Sequence, residues 1–180
     1  MKGELPQTPE LSEKYRASKN CETPIFHAVS TFDVLNEIFI RSVFHLGQAD
    51  ERTLASDMID DISKDSHYKD ESQIWIFDRG FPSLLLLQKL FECEQRFVMR
   101  VSSSILKEVN LFRQSKYVDR EVHVKYTKQR MSANHVHAEN ECEFDLRCVR
   151  IRLSSGEDEI LITNLDRQEF PKRDIRLLAK

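Results

Sequence analysis

The chain has 180 residues, 32% of them charged and 40% hydrophobic, with a formal net charge of −3. That length suits one sizeable core rather than two independent domains. The charge balance excludes a strongly basic domain though not a local basic patch, and four glycines are too few for Gly-rich phosphate loops or propeller-like repeats.

Residues 1–20 predict an irregular lead-in, with Pro6 and Pro9 among many polar side chains. Their mixed charge is unlike a signal peptide, and no apolar run approaches a membrane span, so a cytoplasmic protein is expected. From His27 to Leu46, HAVSTFDVLNEIFIRSVFHL predicts two adjacent strands turning near Asn36–Glu37. In ADERTLASDMIDDI, Asp50 is placed to cap a helix, and Leu54, Met58 and Ile62 recur every four residues beside Ala55 and Ile59. Asp57, Asp60 and Asp61 fall largely off that stripe and read as a solvated face rather than a metal site.

QIWIFD is a short apolar strand of the kind buried on both faces. PSLLLLQKLFECE predicts a helix with Pro82 in or near its first turn, and QRFVMRVS a second strand. Strand, helix and strand within about 30 residues form a parallel βαβ unit. Beyond Ser104 the texture changes: REVHVKYTK alternates strictly, and QRMSANHVHAENE is polar. ECEFDLRCVRIRLSSGEDEILITNL then gives two more alternating strands about a Ser-Ser-Gly turn, so this part predicts antiparallel β-structure with polar outward faces. FPKRDIRLLAK starts a helix at Pro171.

Asp78 stands at the carboxyl end of the most hydrophobic strand, where α/β folds gather ligands and catalytic groups. Two roles are open to it: a turn cap accepting backbone N–H bonds, or a catalytic or metal-binding carboxylate. Gly80 is placed to turn the backbone sharply, and Arg79 to contact a phosphate or form an ion pair. Asp33 and Glu51 are the other acids weighed, the first as a solvent-facing strand residue and the second as a complement to a helix dipole. Cys21, Cys93, Cys142 and Cys148 show no C-x2-C spacing and are expected to be reduced.

The ordered set STFDVLNEIFI, ADERTLASDMI, IWIFDRGFPSLLLLQKL and RFVMRV resembles the middle of a bacterial insertion-sequence DDE transposase. ILITNLDRQEFPKRDIRLLAK, residues 160–180, resembles that family's approach to its final catalytic helix. The resemblance implies a truncated ribonuclease H-like α/β fold with a mixed sheet, followed by an antiparallel β-rich insertion. Residues 1–104 would be a partial catalytic core, 105–168 the insertion, and 169–180 the start of the returning helix. It also implies metal-dependent cleavage and transfer of DNA strands, with three carboxylates holding two Mg2+ ions. Asp78 matches the second carboxylate and is the one catalytic and metal-binding residue carried over.

The first carboxylate, in an Asp-Gly-Ser/Thr setting, has no match, since Lys2 precedes Gly3 and the opening strand is expected to be missing. The third, a Glu in Tyr-x2-Arg-x3-Glu-x6-Lys, would fall beyond Lys180. Asp33 matches a family position that is not catalytic, and Glu51 and Arg52 match a frequent Glu-Arg pair. The expectation is therefore an inactive transposase fragment, with no tightly bound Mg2+ and with enzymatic activity left open. Its expected partner is double-stranded DNA at transposon ends, with Arg79 and Arg52 as candidate contacts. The alternative is a non-catalytic module that binds nucleic acid or an intact transposase.

Arg147, Arg150 and Arg152, with Lys125, Lys128 and Arg130, offer a basic patch for such a module. Against it, they read as solvated strand positions balanced by Glu139, Glu141, Glu143 and Asp145. His123, His135 and His137 lack a third ligand in register and read as polar histidines rather than a metal site. A core without its first strand should leave a sheet edge unpaired, which predicts self-association.

Overall fold

A computed structural model of the chain describes residues 2–18, 21–65, 68, 73–102, 106–127 and 141–178. The chain divides into two compact units, residues 1–62 and 63–180, rather than one core, because each builds its sheet from its own strands.

The first unit begins with β1 (Lys2–Glu4), α1 (Pro9–Tyr15) and β2 (Arg16–Ser18), where the sequence predicted an irregular lead-in. Pro9 opens α1, a position whose missing N–H costs nothing. β1 pairs antiparallel with β3 (Cys21–Asp33), Gly3 opposite Phe26. A Cβ at Gly3 would collide with the Phe26 ring, which would have to shift to admit one.

β3 and β4 (Ile38–Leu46) form the predicted hairpin, with turn residues 34–37 and pairing from Phe26↔Leu46 to Asp33↔Ile38. Asp33 shapes that turn. Its Oδ1 accepts the backbone N–H groups of Leu35 and Asn36, and these bonds with the Asn36 side chain hold its carboxyl below the usual carboxylate range. The Glu51–Lys64 helix, α2, follows as its spacing predicts, with Leu54, Ala55, Met58, Ile59 and Ile62 buried. Asp50 Oδ1 accepts the Arg52 N–H at 3.0 Å, and Thr31 on β3 donates to the Met58 sulfur.

In the second unit, β5 (Ile74–Phe77), α3 (Leu84–Glu92) and β6 (Arg96–Arg100) form the parallel βαβ unit read from the sequence. Ser83, one residue after Pro82, caps α3 by accepting the Leu86 N–H at 3.2 Å. A helix the sequence did not predict, α4 (Lys107–Gln114), precedes β7 (Asp119–Tyr126), β8 (Cys142–Arg152) and β9 (Asp158–Thr163). The five strands form one mixed sheet in the order β5-β6-β9-β8-β7. Gly156, at φ +87°, makes the predicted turn between β8 and β9. The predicted last helix is α5 (Lys172–Leu178).

Strand alternation gives this sheet two distinct faces. Val98, Val149, Ile151 and Leu161 pack with Leu165 and with Ile175 of α5 in one cluster. The opposite parity carries Phe97, Met99, Leu146, Cys148, Ile160 and Ile162, all buried. β5 corrects the expectation of a strand buried on both faces. It lies at the end of the sheet order, and Ile76 is 47% exposed while Phe77 is 7% exposed.

Candidate functional site

The carboxyl ends of the parallel strands β5 and β6 bring Asp78 and Arg100 together, with Glu159 of β9 beside them. Arg100 sits opposite Leu161 in the β6–β9 ladder, which places it one pleat from Glu159 on the same sheet face. Asp78 follows β5 directly. Its side chain is 71% exposed and meets Arg100 Nη1 at 3.5 Å. The turn-cap role belongs to its main chain, whose carbonyl accepts the Phe81 N–H at 3.1 Å. Gly80 lies inside that turn, between Arg79 and Phe81, although its φ is not positive and a Cβ there would meet nothing within 4 Å.

Glu159 is the buried acid of this group, with its side chain 5% exposed. Arg79 donates to Glu159 Oε1 through Nη2 at 2.8 Å and Nε at 3.3 Å. Arg100 Nε faces Oε2 at 3.6 Å. The hydrogen-bonded Glu159 carboxylate raises the Arg79 guanidinium above its ordinary value. Arg79 and Asp78, singled out in the sequence, thus share a network through Glu159 and Arg100, which were not. One clue was present: Glu159 has the same strand parity as Leu161 and Thr163, so it points into the sheet's interior face.

Arg52, the other candidate contact, lies in the first unit on α2, half-exposed and 3.9 Å from Asp50. Glu51 starts the same helix.

The strand arginines divide differently from the sequence expectation of solvated positions. Arg147 is 3% exposed and bidentate to Asp119, with Nε–Oδ1 2.9 Å and Nη2–Oδ2 2.7 Å. Its Nη1 donates to the Phe170 carbonyl at 2.6 Å, tying β8 to the segment before α5. Burial works to raise the Asp119 carboxyl, but Arg147, with Arg167 and Lys172, outweighs it and holds Asp119 low. Arg150 donates to the carbonyls of Phe112, Arg113 and Ser115 at the end of α4. Of these three, only Arg152 is solvated, pairing with Asp158 at 3.0 Å.

His123 pairs with Asp145 at 2.8 Å and lies 3.4 Å from Glu143, which also meets Lys125. His135, His137, Lys128, Arg130 and Glu139 lie outside the described residues. Cys93, Cys142 and Cys148 are free, and burial pushes the Cys148 thiol up to about 12.

Among the described residues no group of three or more His, Cys, Asp or Glu side chains is arranged to hold a metal. At the strand ends Asp78 faces one guanidinium and Glu159 two. No helix among the described residues is long and apolar enough to cross a membrane.

Compared with known families, residues 4–180 match the family described as the transposase DDE domain. The chain belongs to the DDE transposase family. Its mixed α/β architecture, with a parallel βαβ unit carrying Asp78 at a strand end, is consistent with that family's ribonuclease H-like fold. No curated protein matches the chain.

Proposed function

We propose that the chain is a DDE transposase fragment that binds double-stranded DNA and does not cleave it as it stands. In this reading residues 1–104 are the partial ribonuclease H-like core, 105–168 the β-rich insertion and 169–180 the beginning of the returning helix. Asp78 is the retained catalytic and metal-binding position of the family. The observation that carries the proposal is the company Asp78 keeps: its near neighbours are Arg100 and, through it, a Glu159 already held by two arginines.

Phosphoryl transfer in such families relies on Mg2+ to stabilise charge on the attacking and leaving oxygens, and one carboxylate does not hold the pair of ions that needs. What these residues supply is two guanidinium groups beside a strand end, each set against an acid. Arg79 and Arg52 are the proposed DNA contacts, through salt-dependent phosphate binding with little base reading. A cytoplasmic location belongs to the same proposal.

The test is incubation of the purified chain with Mg2+ and duplex DNA carrying candidate transposon ends. No strand cleavage is expected. Cleavage that Asp78→Asn abolishes would overturn the proposal. A non-catalytic role in binding an intact transposase is favoured instead if the chain fails to bind DNA and co-purifies with such an enzyme.

A further inference from the structure

The four charged groups at the strand ends are arranged around the wrong acid for a metal site. Glu159, not Asp78, is buried, and burying a carboxylate is costly unless good partners repay it. Here two arginines from different elements do so. Arg79 commits both Nε and Nη2 to one carboxylate oxygen, and Arg100 spans from the other oxygen to Asp78.

The edge of a guanidinium bearing Nε and Nη2 is one that can grip a phosphate with two parallel hydrogen bonds. In this chain Glu159 occupies that edge of Arg79, although the Arg79 side chain is 57% exposed. We propose that Glu159 is a positioning residue that latches Arg79, standing in for a DNA phosphate and holding Arg100 against Asp78. The proposal rests on the DNA-binding reading above. Arg79 reaches a phosphate only when the latch opens, so Glu159 lowers DNA affinity while it fixes the geometry.

A purely structural role predicts the reverse. If Glu159 only supported the fold, neutralising it would loosen the strand ends and weaken DNA binding. As a latch, its neutralisation frees a fork and raises the local net charge by one beside an anionic partner.

The experiment measures binding of a fluorescent duplex by anisotropy at several salt concentrations. The proteins are wild type, Glu159→Gln, Glu159→Asp and the double variant Glu159→Gln/Arg79→Gln, each checked for folding by circular dichroism. Glu159→Gln is expected to bind several-fold tighter, and its slope of log affinity against log salt to steepen by about 0.9, the value of one more phosphate contact. Glu159→Asp, which keeps the charge, should restore the shallower slope, and the double variant should lose the gain. A folded Glu159→Gln protein with unchanged or weaker binding overturns the latch.

A second measurement needs neither DNA nor a variant that folds. In wild type, the Arg79 Nε–H resonance should exchange slowly with water; rapid exchange there overturns the latch. If no protein binds the duplex while Arg79 Nε–H is protected, the hold of Glu159 on Arg79 stands and the DNA-binding reading fails.

Discussion

The hairpin of the first unit and the hairpin of the second are built on opposite principles. Along β7 and β8, inward Val124, Tyr126, Phe144 and Leu146 are buried, while the outward face sets His123 against Asp145 and Lys125 against Glu143. Along β3 and β4 only β3 contributes to a core, through Ile25, Ala28 and Val29. None of the nine residues of β4 is buried, and Phe39 and Phe44 are 71% and 67% exposed. Alternation of apolar and polar residues suits a sheet covered on one side. Apolar residues on both faces suit a sheet covered on both. The second hairpin is finished in this chain, whereas the first asks for a covering that the described residues do not provide.

The largest expected effect lies in the finished unit. Arg147→Met removes the partner of Asp119 and strips donors from a carbonyl ahead of α5, a loss of about 3–5 kcal/mol for a broken buried pair. Denaturant unfolding measures it. Arg147→Lys should rescue little, because an ammonium does not reproduce the bidentate fork. A loss below about 1 kcal/mol would match a surface pair and show that the two hairpins do not differ in this way.

The next effect lies in the unfinished one. β4 pairs only with β3 among the described residues, and long apolar edge strands invite association. Gel filtration is expected to show self-association that strengthens with concentration. Phe39→Lys with Phe44→Lys should shift the protein toward monomer with little loss of stability, each side chain being exposed. A wild-type chain that stays monomeric at every concentration would break the comparison.

The sequence disclosed the parts of this fold whose periodicity is strong. The α2 stripe, the βαβ unit around Leu84–Glu92 and the β8–β9 hairpin all carry a clear spacing of apolar residues. α4 was hidden because its N-cap, Leu106, makes no side-chain cap and only Val109 and Phe112 are buried along it. β1 and β2 are three residues each, too short for alternation to register. Asp78 was legible from its place after an apolar strand, but its partners were not. Glu159 looks like one more acid in the turn sequence SSGEDEIL, and only sheet register shows that Arg79 and Arg100 converge on it. Arg147 illustrates the same limit, since a buried arginine and a solvated one leave the same letter in an alternating strand.

The smallest effect concerns His123, on the polar face that the first hairpin lacks. Its hydrogen bond to Asp145, helped by Glu143, raises its pKa above the ordinary 6.5. A raised pKa means that the folded protein holds the proton more tightly than the unfolded chain. Its contribution is therefore fully present below about pH 6.5 and is lost as pH rises through the folded-state value. His123→Gln should flatten that part of the stability–pH curve while leaving stability at high pH nearly unchanged. Salt should shrink the difference, because the pair is exposed to solvent. An unaltered pH curve in His123→Gln would mean that the cross-strand charges are ornamental, and that the second hairpin owes its finish to its buried face alone.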